Sequence, residues 1–125
     1  MSLVVIGTVA FDSVKTPFGE RQEVLGGSAT YFSLAASFFT PVKMMAVVGE
    51  DFPESHLATL GERGIDTSGV MRVPGSTFRW TGEYGNDLNE ARTLETRLNV
   101  LEQFDPVLPQ AYREARFLFL ANIDP

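Results

Sequence analysis

Val24-Leu25-Gly26-Gly27-Ser28-Ala29-Thr30-Tyr31 is the stretch that decides the fold of this 125-residue chain, because a pair of glycines runs directly into an apolar helical segment. Glycine has no Cβ, so Gly26 and Gly27 allow positive φ angles and a close approach of the backbone to another group. The helix that follows presents unpaired N–H groups and the positive end of its dipole. The pair indicates either a tight connection or a binding loop for a polar small molecule.

The composition is that of one soluble globular domain. Hydrophobic residues make up 44% of the chain and charged residues 21%, which supplies apolar material for a single core. The formal net charge of −6 argues against a nucleic-acid partner, because such partners are bound by basic surfaces. The chain has no cysteine, which excludes disulfides and thiolate metal sites and is typical of a cytoplasmic protein. Residues 1–10 lack a basic leader and are broken by Gly7, so we expect neither a signal peptide nor a membrane span.

Short apolar runs predict strands that are covered on both faces of a parallel sheet. These runs are residues 3–6, residues 43–48 and the apolar part of residues 116–125. We expect a further short strand over residues 70–73, after a turn-rich segment, and an edge strand over residues 21–25. Because helical segments separate the apolar runs, the order implies parallel strands joined by right-handed crossovers.

Two helices are predicted between these strands. The first, over residues 28–39, carries apolar residues around a wide stripe and is expected to be largely buried. The second follows Asp51, which with Glu54 forms a variant of the capping box, and it ends at Gly64. His56 lies in this helix without a second ligand at metal-binding spacing, so we interpret it as a surface or half-buried residue.

Near residue 78 the spacing of the hydrophobic residues changes from continuous runs and helical spacing to every second residue. Residues 78–84 and 93–101 alternate between apolar and polar side chains, and a polar loop separates them, which predicts a long antiparallel hairpin. A hairpin with one apolar and one charged face does not suit the middle of a parallel sheet, so we expect a separate flap. Its apolar face is a candidate dimer surface.

Four motifs follow one another along the chain: Ile6-Gly7-Thr8-Val9-Ala10-Phe11-Asp12, Gly26-Gly27-Ser28-Ala29, Val47-Val48-Gly49-Glu50-Asp51-Phe52 and Gly64-Ile65-Asp66-Thr67-Ser68-Gly69-Val70. Their order resembles the amino-terminal part of the ribokinase-like (PfkB) carbohydrate kinases. The resemblance implies an α/β fold with a Rossmann-like, mostly parallel sheet flanked by helices, and an antiparallel β lid hairpin. On this interpretation residues 1–125 are the amino-terminal portion of one truncated domain. Residues 78–101, with residues 20–25 as a candidate addition, form the lid, which in this family closes over the sugar and commonly mediates dimerisation.

The resemblance also implies a substrate site. It places the Asp12 carboxylate and the loop of Gly26, Gly27 and Ser28 against the hydroxyls of a sugar or nucleoside. Tyr31 stands where many family members have an asparagine, which argues against ordinary ribose or fructose specificity. Tyr31 and Trp80 are candidates for stacking on a sugar ring or a base, although aromatic residues at these spacings also occupy cores. Asp51 matches an acidic segment of the family, and on spacing alone it is a helix cap.

The catalytic machinery of that family is absent from these residues. Phosphoryl transfer to a hydroxyl needs a base at that hydroxyl and donors that neutralise the transferred charge. In the family both come from a later Gly-Ala-Gly-Asp segment, and the sites for ATP with Mg²⁺ and for a monovalent cation also lie outside these residues. No phosphate-binding glycine motif replaces them here.

We therefore expect no catalytic residue, bound metal or cofactor in this chain alone. The sequence predicts the sugar-binding, lid-bearing part of an ATP-dependent carbohydrate kinase, inactive by itself. The alternative is a non-catalytic module that binds a polyol or self-associates, with no nucleic-acid or membrane partner in either case.

Overall fold

The computed structural model describes residues 2–124 as two four-stranded sheets connected by short helices. The strands are β1 Leu3–Ile6, β2 Ala10–Thr16, β3 Gly19–Gly26, β4 Val42–Val48, β5 Ile65–Arg72, β6 Arg79–Tyr84, β7 Ala91–Arg97 and β8 Phe117–Leu120. The α-helices are α1 Ser28–Ala36 and α2 Glu54–Glu62, and two 3-10 helices cover Asn99–Gln103 and Gln110–Tyr112.

The main sheet has the order β5-β4-β1-β8, and every neighbouring pair in it is parallel. Its two inner strands, β1 and β4, are apolar apart from Lys43, as is typical of strands that are covered on both faces. On one face Val5 and Met44 pack with Phe52 and Leu60 of the α2 region, and on the other face Val4 and its neighbours pack against Tyr112. The predicted parallel α/β sheet is confirmed.

The second sheet, called the lid sheet below, has the order β3-β2-β6-β7. Strands β2 and β3 form an antiparallel hairpin, β2 runs parallel to β6, and β6 pairs antiparallel with β7. The predicted hairpin is therefore present, and residues 20–25 belong to the same sheet. A turn at Pro17 and Phe18 joins β2 to β3, so most of residues 15–20 belong to these two strands.

The second arm of the hairpin is shorter than the alternating pattern predicts. Strand β7 ends at Arg97, and Asn99, with φ of 51°, begins a 3-10 helix. The Asn99 side chain donates to the Thr77 carbonyl and the Val100 amide donates to the Ser76 carbonyl. These bonds turn the chain out of the strand, which alternation of apolar and polar residues does not reveal.

Helix α1 contradicts the expectation of a wide buried stripe. Its buried residues are the small Ala29, Thr30 and Ser33, whereas Phe38 and Phe39 beyond its end are 77% and 86% exposed. Small side chains allow the helix to approach the sheet closely. Phe38 and Phe39, which follow the helix, consequently lie on the outer surface.

Three further predictions need correction. Asp51 does not cap α2, because the N-cap position is Pro53 and no side chain caps the helix. Strand β5 begins at Ile65, so the segment predicted as a turn is mostly strand, although Gly64 has the predicted positive φ of 78°. Strand β8 is an edge strand with exposed side chains, up to 69% at Leu120, and it is not buried as predicted.

No helix within residues 2–124 combines the length and the apolar character needed to cross a bilayer.

Candidate substrate site

A cavity of about 430 Å³ lies between the carboxyl end of the main sheet, the start of α1 and the lid sheet. Its lining consists of Thr8, Ala10, Asp12, Gly27, Ser28, Tyr31, Phe78, Trp80, Leu98, Leu101, Asn122, Ile123 and Asp124. The structure thus brings together five of the six residues that the sequence predicts for a substrate site, and the sixth, Gly26, lies beside them. Their contact with a substrate stays a prediction.

Asp12 lies in β2, where its register partners are Val24 of β3 and Trp80 of β6. Within residues 2–124 its carboxylate has neither a hydrogen-bond partner nor an ion-pair partner. Partial burial raises the pKa of this carboxyl above its ordinary value of 3.8. An acceptor that is desolvated without a partner is suited to accept hydrogen bonds from the hydroxyls of a ligand.

Glycine is required at positions 26 and 27 for two different steric reasons. A Cβ on Gly26 would overlap the Asp12 carboxylate, so glycine leaves the space that this carboxylate occupies. Gly27 has φ of 102°, and a Cβ there would overlap the Thr8 carbonyl. Both glycines therefore shape the floor of the cavity, and Gly26 does so without lining it.

The start of α1 is already bonded to Thr8, in the segment that follows β1. The Ser28 amide donates to Thr8 Oγ1 at 2.8 Å and the Ala29 amide donates to the Thr8 carbonyl at 2.9 Å. Two of the N–H groups that a bare helix start would offer to an anion are thus engaged. This geometry favours the interpretation of the glycine pair as the floor of a site for a neutral polar ligand.

The Ser28 hydroxyl is part of the same network. It accepts from the Thr8 amide at 3.1 Å and donates to the Asn122 carbonyl at 2.7 Å, so it connects α1 to the segment after β1 and to the segment after β8. The sequence analysis predicts Ser28 as a site residue but does not identify three other residues of the cavity lining, which are Thr8, Asn122 and Asp124. Their position directly after apolar strands was the available signal, because the carboxyl ends of parallel strands collect binding residues.

Aromatic side chains form the wall opposite this floor. The Trp80 indole lies against Gly82, where a Cβ would overlap the ring, and its Nε1–H donates to Thr93 Oγ1 at 3.1 Å. Tyr31 is 58% exposed, and partial burial together with the charge of Asp12 raises the pKa of its hydroxyl. The cavity consequently offers a polar acceptor beside a flat aromatic surface.

Two observations bear on a metal or on nucleotide phosphates at this cavity. No group of three or more histidine or acidic residues within residues 2–124 has metal-binding geometry. The cavity lining contains no lysine or arginine. ATP and Mg²⁺, which the family resemblance implies, are therefore not assigned to any residue here.

The chain is similar to kinases of nucleosides and of ribose. No family model matches it. The cytidine kinase of Thermococcus kodakarensis is 29% identical over 127 residues, which cover all of this chain and 45% of that kinase. The ribokinase of Cryptococcus neoformans, solved with ADP, has a TM-score of 0.76 at 17% identity and matches 94% of this chain and 40% of its own. The nucleoside kinase of Burkholderia thailandensis, solved with inosine, has a TM-score of 0.70 at 19% identity and matches 81% and 37%.

The chain thus spans less than half the length of each of these proteins. At such identities the solved structures establish the fold, and their ligands belong to those proteins. The truncated, lid-bearing α/β architecture implied by the four motifs agrees with this partial coverage. The predicted resemblance is confirmed, and the chain has the ribokinase-like fold.

Proposed function

We propose that this chain is the acceptor-binding part of an ATP-dependent kinase that phosphorylates a hydroxyl of a nucleoside. The observation that carries the proposal is the pairing of Asp12 with Trp80 on neighbouring strands of the lid sheet. Residues opposite each other in a sheet project from the same face, and neighbouring strands lie about 4.8 Å apart. A carboxylate acceptor and an aromatic ring are therefore adjacent in one cavity.

A nucleoside has the two features that this pair can recognise. Its ribose carries neighbouring hydroxyls that can donate to the Asp12 oxygens, and its base is planar and can stack on the Trp80 ring. A free sugar would make little use of the apolar wall that Phe78, Leu98 and Leu101 add to the cavity. The arrangement therefore favours a nucleoside over a free sugar.

Two of the three similar proteins described above support the same substrate class. One is named a cytidine kinase, and another was solved with inosine. Asp12 and the floor formed by Gly27 and Ser28 would hold the acceptor, and the phosphoryl donor and the catalytic base would come from outside residues 2–124. We therefore propose that the isolated chain binds but does not phosphorylate.

Fluorescence of Trp80 tests the binding step directly, because it is the single tryptophan of the chain. The chain would be titrated with cytidine, inosine and ribose, exciting at the red edge of the indole band where nucleosides do not absorb, and calorimetry would give independent affinities. We expect the two nucleosides to change the emission saturably and to bind more tightly than ribose. Equal affinity for ribose, with no change in emission, would contradict the assignment of a nucleoside.

An ADP-release assay tests the reaction. A carboxyl-extended form that completes the fold should release ADP when a nucleoside is added, and the 125-residue chain should not. Turnover by the short chain would refute its proposed inactivity. Failure of the extended form with every nucleoside and sugar would refute the kinase assignment.

A second candidate function is self-association through the lid sheet. All seven residues of β7 are exposed, and they include Leu94, which is 48% exposed. An edge strand with exposed apolar side chains is able to pair with a second copy. Sedimentation of the chain and of its Leu94→Glu variant tests this candidate, which requires a dimer that the substitution dissociates.

A further inference from the structure

We propose that Arg79 is a positioning residue that fixes the lid sheet over the cavity by joining β6 to β3 and to the segment after β4. Its own side chain does not line the cavity, which sets it apart from the predicted substrate residues. The ligand-binding part of this proposal rests on the proposed function. The effect on the lid sheet itself can be measured without any ligand.

The Arg79 guanidinium contacts two carboxylates and one aromatic ring. Nε and Nη2 donate to the two oxygens of Glu23 at 2.7 and 3.1 Å, and Nη1 donates to Asp51 Oδ2 at 2.8 Å. The guanidinium carbon lies 4.8 Å from the centre of the Phe11 ring. A planar fork with five donors can bond both carboxylates at once, and a lysine ammonium cannot reproduce this geometry.

Asp51 connects this cluster to the main sheet. Its Oδ1 accepts from the Thr77 amide at 2.9 Å and from the Thr77 hydroxyl at 2.7 Å. The Thr77 hydroxyl accepts from the Gly49 amide at 2.9 Å, and Thr77 is fully buried. Gly49 directly follows β4, so the segment that leads into β6 is bonded to the residue after a central strand.

Glu23 connects the cluster to the other side of the lid sheet. It has φ of 52°, a left-handed conformation that is unfavourable for a residue with a Cβ, and its amide donates to Ser13 Oγ at 3.1 Å. It lies where the pairing of β2 with β3 shifts register, next to Val24, the register partner of Asp12. The bidentate bond from Arg79 holds the carboxylate of this irregular residue.

The electrostatics of the cluster agree with a persistent ion pair. Hydrogen bonds with Glu23 hold the pKa of Arg79 above its usual value, and the same bonds lower the pKa of Glu23. Burial opposes ionisation of Asp51, but hydrogen bonds from Thr77 and Arg79 outweigh it and lower its pKa. All three groups are therefore charged at neutral pH.

The location of Arg79 explains how it can act on the cavity without touching it. It lies between Phe78 and Trp80 in sequence, and alternate residues of a strand project from opposite faces, so the cluster backs the aromatic wall. Glu23 likewise lies one residue from the partner of Asp12. Loss of the cluster would displace the carboxylate and the indole relative to each other.

The experiment compares Arg79→Gln and Arg79→Lys with the control Arg92→Gln. Arg92 lies on β7 opposite Glu83, at the far end of the β6-β7 pair from Arg79, and its exposed side chain is not part of the cluster, so it matches the charge change without joining two sheets. For each variant, acrylamide quenching measures how accessible the Trp80 indole is to solvent. Calorimetry with cytidine gives Kd, and urea unfolding gives the free energy of unfolding. We expect Arg79→Gln to increase quenching and to raise Kd roughly tenfold. Arg79→Lys should have smaller effects on quenching and Kd than Arg79→Gln, and Arg92→Gln should match the wild type.

The substitution Glu23→Gln keeps the proposal testable if Arg79→Gln does not fold. It weakens one partly exposed arm of the cluster and should shift quenching and Kd in the same direction as Arg79→Gln, with effects that do not add in the double variant. Quenching and Kd of the Arg79 variants equal to those of Arg92→Gln would overturn the proposal. Absence of cytidine binding by the wild type would instead refute the proposed function, and quenching alone would then decide the role of Arg79.

Discussion

Replacement of Asp12 by asparagine should weaken nucleoside binding and at the same time stabilise the ligand-free chain. The wild-type carboxylate is partly desolvated and has no partner within residues 2–124. Its charge therefore costs folding free energy that only a ligand can offset. The neutral amide keeps the shape of the side chain and removes that cost.

The expected loss of affinity follows from the bonds that the site can make. A hydrogen bond to a charged group contributes about 1.5–3 kcal/mol, and asparagine keeps one acceptor oxygen of the two. The loss of one charge-assisted bond corresponds to roughly 10- to 150-fold weaker binding of cytidine. Calorimetry measures this directly, and Asp105→Asn, at an exposed position outside the cavity, is the control.

The stability effect depends on pH in a defined direction. The folded-state pKa of Asp12 is raised, so below the ordinary value of 3.8 the group is neutral in both states and the substitution changes little. As pH rises through 3.8 the unfolded chain ionises first, and the wild type loses stability relative to Asp12→Asn until the folded-state pKa is passed. Urea unfolding across this range measures the difference. Unchanged cytidine affinity, or a variant that is less stable than the wild type at pH 7, would refute the assignment of Asp12 as a ligand acceptor.

Further predictions concern the buried hydrogen bonds and the ion pairs that join the sheets. The Thr77→Val substitution removes the hydroxyl that donates to Asp51 and should lower the free energy of unfolding by about 1–3 kcal/mol in urea, whereas an unchanged midpoint would contradict the described network. Tyr112→Phe leaves the Gly69 amide without the hydroxyl that accepts from it at 2.9 Å, and it should cost about 1–2 kcal/mol in the same assay. The lowered pKa of Asp51 predicts stability that is present at neutral pH and is lost as pH falls through its folded-state value. Removal of Arg79 should reduce this acid dependence, as measured by urea midpoints at several pH values.

The sequence predicts the parallel sheet and the hairpin well because both depend on local hydrophobic period. Residues 3–6 are a continuous apolar run, as expected for a strand covered on both faces, and β6 alternates as a strand with two different faces does. The paired glycines and Asp12 could also be selected, since they follow or precede such segments. These predictions depend only on residues that are close together in the sequence.

The missed features all depend on contacts between distant parts of the chain. Asp51 matches a capping pattern, but Thr77 and Arg79, more than 20 residues away, take its carboxylate instead. The aromatic residues after α1 lie outside because the small residues Ala29 and Ser33 pack on the sheet. Strand β8 has the composition of a central strand, but in the described sheet it pairs only with β1 and therefore lies at the edge. The composition of a strand does not reveal how many strands pair with it.

The exposed edge at β8 has a consequence for how this chain behaves in concentrated solution. Four consecutive apolar residues, Phe117 to Leu120, present side chains to solvent and an unpaired backbone edge at the same place. Such a segment can recruit an identical segment from another molecule and grow by strand addition. Arg116 before it is the nearest charge that opposes this growth, in the manner of a gatekeeper residue. We therefore expect aggregation, more than unfolding, to limit the time that the isolated chain stays in solution. A charged residue in place of Leu118 should extend this time.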